Sequence, residues 1–276
     1  MRAHWPHYLI EAWGLGTIMF VTGAVAVGLA HAPSPLARAF AAHPVFRRMI
    51  AGTLIGLTAM AVVYSPWGAR SGAHCNPALT LTFTWLRKVA PHDSFGYVIA
   101  QFAGGALGFA LIAALARSAL IAPPVNAVAT VPGPRGPLVA FAAEAVLAFV
   151  LMTVVLTVSN ARQPYPHFTG VAAALCIVTF VTFAAPLSGM SLNPARTTAS
   201  ALVAGRWEFV WIYFTAPPAG MLGAAALFVR RRGTAAVRCA RLNHTGAFPC
   251  IFLHCGYPPV RPSSPAERDA QPRTRV

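Results

Sequence analysis

The chain has 276 residues, of which 57% are hydrophobic and only 10% charged, against about 25% charged in soluble domains, so its composition is that of a membrane protein. Its six acids, Glu11, Asp93, Glu144, Glu208, Glu267 and Asp269, are too few and too scattered for a paired-carboxylate active site. The 21 basic side chains give a formal charge of +15, but nine of them follow Val229, which fits a tail beside anionic lipid and argues against a nucleic-acid-binding face.

The first apolar run, at about 8–30, carries Glu11 and is long enough to cross a hydrocarbon core of roughly 30 Å at 1.5 Å per residue. It reads as a membrane helix, not as a cleavable leader. A polar connector at 31–43 leads to a second span at 47–65. A short segment at 76–85 follows, about ten residues long and too short to span. The third span, 95–117, contains Gln101 and the close-crossing pattern Gly104-x-x-x-Gly108. A proline-rich connector at 123–137, extended over 131–137, precedes the fourth span at 138–159, which carries Glu144. After a connector at 160–167 come the fifth span, 168–186, a second short segment at 193–203, and the sixth span, 208–230. Pro186, Pro217 and Pro218 read as helix ends or kinks. Beyond Arg232 the hydropathy collapses, and 231–276 is expected to be a basic, largely disordered tail. The five cysteines, Cys75, Cys176, Cys239, Cys250 and Cys255, are odd in number and irregularly spaced, which argues against a disulfide framework.

The two short segments belong to an internal repeat. Ser71-Gly72-Ala73-His74-Cys75-Asn76-Pro77-Ala78 matches Ser188-Gly189-Met190-Ser191-Leu192-Asn193-Pro194-Ala195 at Ser, Gly, Asn, Pro and Ala. Glu11 and Glu144 sit at equivalent depths. The repeats run over about 8–117 and 138–230 within one domain, 1–230. Asn is a favoured N-cap and Pro a favoured first helical residue, so each segment is a well-signalled helix start. Three spans per half invert the second copy, and one half-helix enters from each face. The expected fold is all-α: six transmembrane helices and two re-entrant half-helices.

Two helix N-termini meeting at mid-membrane each carry about +0.5 elementary charge and repel cations, hydronium included. Asn76 and Asn193 would cap with their side-chain oxygens and turn their amide N–H groups to the lumen. A water accepting from both points its hydrogens outward, which breaks a proton wire. Arg196 lies in the first helical turn, where a cation opposes the dipole; its counterpart in the first copy is Leu79, so the repeat does not require it. A charge at this depth is functional by default, and a cation-excluding constriction is the reading set against an arginine merely held by loop carbonyls.

These segments resemble the two signatures of the aquaporin/glycerol-facilitator (major intrinsic protein) family, and the resemblance covers about 8–230. It implies passive passage of water or small uncharged solutes such as glycerol across a lipid bilayer, with no cofactor and no nucleic acid. It also implies a homotetramer with one pore per subunit, in a cell membrane with both termini cytoplasmic. Basic residues support that orientation through the tail alone: 14 inside against 7 outside, or 5 against 7 without the tail's nine. Residue by residue, the pore motifs are Asn76-Pro77-Ala78 and Asn193-Pro194-Ala195. The selectivity filter is Arg196, Met190, Val181 and, on the second helix, Ile55 or Gly56. Straight counting gives Gly56; aligning Gly56-Leu57 with a family Gly-Leu gives Ile55, which is preferred. This apolar ring lacks the His and Phe of water-selective members and the Trp–Phe pair of glycerol facilitators, and resembles nodulin-like plant members and bacterial relatives. Glu11 and Glu144 would accept hydrogen bonds from the inserted loops, with Gln101 in a similar role, and the His74 carbonyl would line the pore.

The tail holds Cys239, His244, Cys250, His254 and Cys255. Its Cys-x4-His and Cys-x4-Cys spacings depart from the close cysteine pairs of zinc sites, so Cys239, His244, Cys250 and Cys255 are weak metal candidates and reduced thiols are the preferred reading. Two other functions share the pattern. A secondary transporter uses inverted repeats too but places coupling carboxylates at its site, and a structural membrane protein of this fold need not conduct.

Overall fold

The computed structural model describes residues 4–245 and 248–258. Its α-helices are α1 Trp5–Ala30, α2 Pro35–Ala39, α3 Pro44–Tyr64, α4 Pro66–Ser71, α5 Pro77–Trp85, α6 Pro91–Ile121, α7 Pro137–Ser159, α8 Thr169–Ser188, α9 Pro194–Ala204 and α10 Val210–Arg232, with no strand among the described residues. Proline opens seven of these ten. That position suits it, because the first helical N–H has no intrahelical acceptor and the ring presets φ.

Six of the helices, α1, α3, α6, α7, α8 and α10, are long and apolar enough to cross a membrane, at the places where spans are expected. The differences lie at their edges. Helix α6 is longer than expected and carries a break at Ala116 (φ −142°, ψ 37°). The connectors contain two unexpected short helices, α2 and α4. Helix α10 continues unbroken through Pro217 and Pro218 to Arg232, so the proline pair marks neither an end nor a break there; bilayer helices tolerate proline where neighbouring groups re-satisfy the freed backbone.

The two halves are built alike. Helix α1 packs on α6 as α7 packs on α10, and α3 packs on α8 between them. Each half-helix lodges against the last helix of the opposite half, α9 on α6 and α5 on α10. The Gly104-x-x-x-Gly108 face is a true crossing. A Cβ at Gly104 would stand 2.1 Å from the Ala12 carbonyl oxygen, and one at Gly108 2.0 Å from that of Gly16. Gly220 repeats this in the second half, 2.1 Å from the Ala145 carbonyl oxygen. Outward-facing leucines such as Leu107, Leu115 and Leu138 are exposed, as a lipid-facing surface requires. Exposed tryptophans stand near the helix ends, Trp67 and Trp85 toward one face and Trp207 and Trp211 toward the other, in the manner of interfacial aromatic belts.

Both ends of the described chain lie on one face. The His4 ring and the Tyr8 hydroxyl bond Asp93 at the start of α6, at 2.8 and 2.7 Å. The tail returns to the same face, where the Leu253 N–H donates to the Lys88 carbonyl and the Lys88 ammonium to the His254 carbonyl, both at 2.8 Å. Over 233–245 and 248–258 the tail thus packs against the helices, while 246–247 and 259–276 lie outside the described residues. The buried Phe252, Leu242 and Cys239 supply the anchoring that composition alone does not reveal.

Candidate functional site

Each half-helix is preceded by a loop that plunges inward, and the two loops are near copies. Each begins at a left-handed glycine, Gly72 (φ 101°) or Gly189 (φ 76°), and continues with left-handed residues at alternate positions: Ala73 and Cys75 in one, Met190 and Leu192 in the other. Such residues cost of order 1–3 kcal/mol each and persist only where the surroundings hold them. A buried carboxylate does so here. Glu11 accepts from the Ser71 hydroxyl (2.8 Å), the His74 and Cys75 N–H groups (3.1 and 2.6 Å) and the Gln101 amide (2.8 Å). Glu144 accepts from the Ser188 hydroxyl (2.7 Å) and the Ser191 and Leu192 N–H groups (2.8 and 2.7 Å). Successive N–H groups converging on one anion form a backbone nest. Two tyrosines overlooked in the sequence complete the pattern: Tyr97 donates to the Ser71 carbonyl at 2.6 Å and Tyr213 to the Ser188 carbonyl at 2.7 Å. They lie at nearly equal distances after Asn76 and Asn193, so aligning the repeats over a longer stretch would have revealed them.

The two asparagines meet. The Asn76 side-chain oxygen accepts from the Ala78 N–H at 2.9 Å, and that of Asn193 from the Ala195 and Arg196 N–H groups at 3.0 and 3.2 Å. Their amide nitrogens then cross over. Asn76 donates to the Leu192 carbonyl and Asn193 to the Cys75 carbonyl, each at 2.8 Å. This revises the expectation that both amide N–H groups of each asparagine serve the lumen. One ties the opposite loop, and one remains for a solute.

Asn76 and Asn193 line a single cavity of about 280 Å³ together with Ile55, Val181, Met190 and Arg196. Gly56 does not line it; it packs on α8, where an added Cβ would lie 2.9 Å from the Ala174 carbonyl oxygen. Ile55 thus faces the cavity, as do Ala51, Ala59, Val62 and Val63 of the same helix. Arg196 lines the cavity, and its Nη1 donates to the Val128 carbonyl at 3.1 Å. Val128 ends a run of three left-handed residues, Asn126 to Val128. Nothing in the sequence distinguishes it from any apolar loop residue.

Toward the tail the lining includes His74 and Leu242. The His74 imidazole is fully engaged: Nε2 bonds the Ala240 carbonyl at 2.8 Å and Nδ1 the Thr80 hydroxyl at 3.1 Å. Its ring stacks on Phe83 and on Phe252 of the tail. Gln101 bridges Glu11 and the Thr80 hydroxyl. The ligand-rich residues Cys239, His244, Cys250 and Cys255 also come together, beside this end of the cavity.

Residues of the chain are 35% identical over 173 residues to "Putative aquaporin NIP4-1" of Arabidopsis thaliana, covering 63% of this chain and 59% of that protein. They are 33% identical over 183 residues to "Probable aquaporin AqpM" of Archaeoglobus fulgidus, covering 64% and 74%. The match to the plant relative spans less than two thirds of its length. The fold is that of the aquaglyceroporin from Plasmodium falciparum, with a TM-score of 0.65 at 20% identity, covering 81% of this chain and 94% of that one. A family model described as Major intrinsic protein matches residues 4–228, from the start of α1 well into α10, and the chain belongs to that family.

Proposed function

We propose that this protein is a passive channel for water and small uncharged solutes, and that it excludes ions and protons. The observation that carries the reading is the pair of asparagine caps tied to each other's loops within one cavity, where two half-helices aim positive ends at a common point. The names of the relatives, aquaporins and an aquaglyceroporin, agree with it. A coupled transporter fits less well, because both membrane carboxylates, Glu11 and Glu144, are fully buried and committed to loop donors.

Ile55, Val181, Met190 and Arg196 form the selectivity filter in this reading. With one donor-rich side chain among three apolar ones, it admits glycerol-sized solutes besides water. The assembly is a homotetramer with a pore in each subunit, as the family resemblance implies, in a plasma membrane with the tail face cytoplasmic.

The test is stopped-flow swelling of proteoliposomes in water, glycerol and urea gradients without any ion gradient. It is run on the intact chain and on Leu242→Gly, which shortens the side chain standing in the cavity. Solute-driven swelling is expected. Flux that appears only with an ion gradient would indicate a transporter, and no flux in either protein a structural role.

A further inference from the structure

The tail brings together four ligand atoms that its spacing does not advertise. Cys239 Sγ, His244 Nε2, Cys250 Sγ and Cys255 Sγ all lie within 4.8 Å of one another. Cys239 Sγ and Cys250 Sγ are 3.6 Å apart, and Cys255 Sγ and His244 Nε2 are 3.3 Å apart. A tetrahedral zinc ion with bonds of ~2.3 Å to sulfur and ~2.05 Å to nitrogen demands S···S edges of about 3.8 Å and S···N edges of about 3.6 Å. The two stated edges, one S···S and one S···N, match such a tetrahedron slightly contracted, and the other four are no longer than 4.8 Å.

The surroundings fit the same ion. Cys239 is 3% exposed and the other three are half-buried, as in the closed sites of structural zinc. The His244 ring stacks on Tyr257 at 4.1 Å, and the Arg238 guanidinium lies 4.0 Å over the other partner of that stack, Tyr257. The imidazole is thereby held in orientation from behind, as groups around a metal's ligands hold them for the ion. Three thiolates, a neutral imidazole and a divalent ion sum to one negative charge. The buried Lys88 ammonium, which donates to the His254 carbonyl next to Cys255 at 2.8 Å, supplies the counter-charge. Between Gly233 and Pro258 the described residues hold only one short 3-10 turn, Thr234–Ala236, and no strand. A loop of this kind has little secondary structure to hold it, and metal binding is the usual substitute.

We propose that Cys239, His244, Cys250 and Cys255 bind one zinc ion per chain, and that the bound ion fastens the tail across the neighbouring entrance of the pore. The second clause rests on the channel reading. The first two ligands straddle the residues that meet the cavity wall: the Ala240 carbonyl bonds His74, which lines it, and Leu242, whose N–H donates to the Gly72 carbonyl at 3.2 Å, lines it directly. Fixing Cys239 and His244 on one ion closes that segment into a short loop and holds Leu242 in place. Binding releases up to three thiol protons per ion. Stripping the metal frees the loop and opens the entrance.

The test uses the untagged full chain in detergent, loaded with cobalt(II) as the spectroscopic probe. One cobalt per chain is expected, with thiolate-to-cobalt charge transfer and the visible bands of a tetrahedral site, displaced by zinc. The double variant Cys250→Ser/Cys255→Ser should lose these bands and keep the helical circular dichroism. In proteoliposomes, a zinc chelator on the tail side should raise water permeability about fivefold or more, zinc should restore the low value, and the double variant should stay high throughout. Substoichiometric cobalt, an octahedral spectrum, or a Cys239–Cys250 disulfide in the freshly isolated protein would overturn the site. Tetrahedral cobalt with permeability indifferent to chelator would overturn the fastening. Because the cobalt signal requires no transport, tetrahedral cobalt with no flux under any condition would instead count against the channel reading.

Discussion

At the scale of single residues, the site is governed by how many donors each polar group has left after the fold has used some. Asn76 and Asn193 each spend an oxygen on their own helix and one N–H on the opposite loop, so each offers one N–H to a passing solute. Arg196 spends Nη1 on the Val128 carbonyl and keeps the rest of its fork. Replacing it with valine removes the charge from the cavity wall. Arg196→Val is expected to raise proton leak, read as faster collapse of an imposed pH gradient in vesicles carrying a trapped pH dye, and to leave water flux undiminished. Val181 faces the cavity with no polar group. Val181→His adds bulk and a donor where a wider solute must squeeze, and is expected to cut glycerol flux about tenfold, a barrier increase of about 1.4 kcal/mol, with water flux changed less than about threefold. Equal loss of both would remove Val181 from the filter.

At the scale of elements, the inserted loops are stable because a carboxylate from a neighbouring span gathers their N–H groups. Glu144 accepts three hydrogen bonds and donates none. In Glu144→Gln one of the carboxylate oxygens becomes a donor facing donors, so a cost of about 1–3 kcal/mol is expected, visible as a lowered thermal midpoint in detergent with flux falling in step. A midpoint unchanged from the parent would mean that the loop is held by something else. The span crossings answer to packing. Gly108→Leu pushes a side chain into the Gly16 backbone, and overpacking of about 1–3 kcal/mol or more is expected. Leu107→Ala, its neighbour on the exposed face at 72% accessibility, should shift stability by less than about 0.5 kcal/mol. Thermal unfolding of the two variants side by side checks the crossing.

At the scale of the whole molecule, both described chain ends lie on one face, and nine of the 21 basic residues follow Val229 in the sequence. A fluorescent protein that matures only in the cytoplasm, fused after Val276, is expected to fluoresce, whereas a phosphatase active only outside the cell should stay inactive at the same position; the reverse pair of results would invert the topology. By itself the sequence determined the six spans, the two half-helices and their opposed orientation, because hydropathy, caps and an internal repeat are local signals that survive without coordinates. It likewise singled out Glu11, Glu144, the two asparagines and Arg196, each a polar group where the bilayer makes polarity costly. Only the tertiary structure showed that Ile55 faces the cavity while Gly56 packs on α8, since a one-residue shift on a helix turns a side chain from cavity to neighbour. Only it found Val128, whose contribution is a backbone carbonyl, and only it brought the four tail ligands together, which sit at irregular spacings and meet because Leu242 and Phe252 dock the segment against the loop before α5 and Lys88 against the turn after it. Those contacts join residues more than a hundred positions apart, and no periodicity in the chain records them.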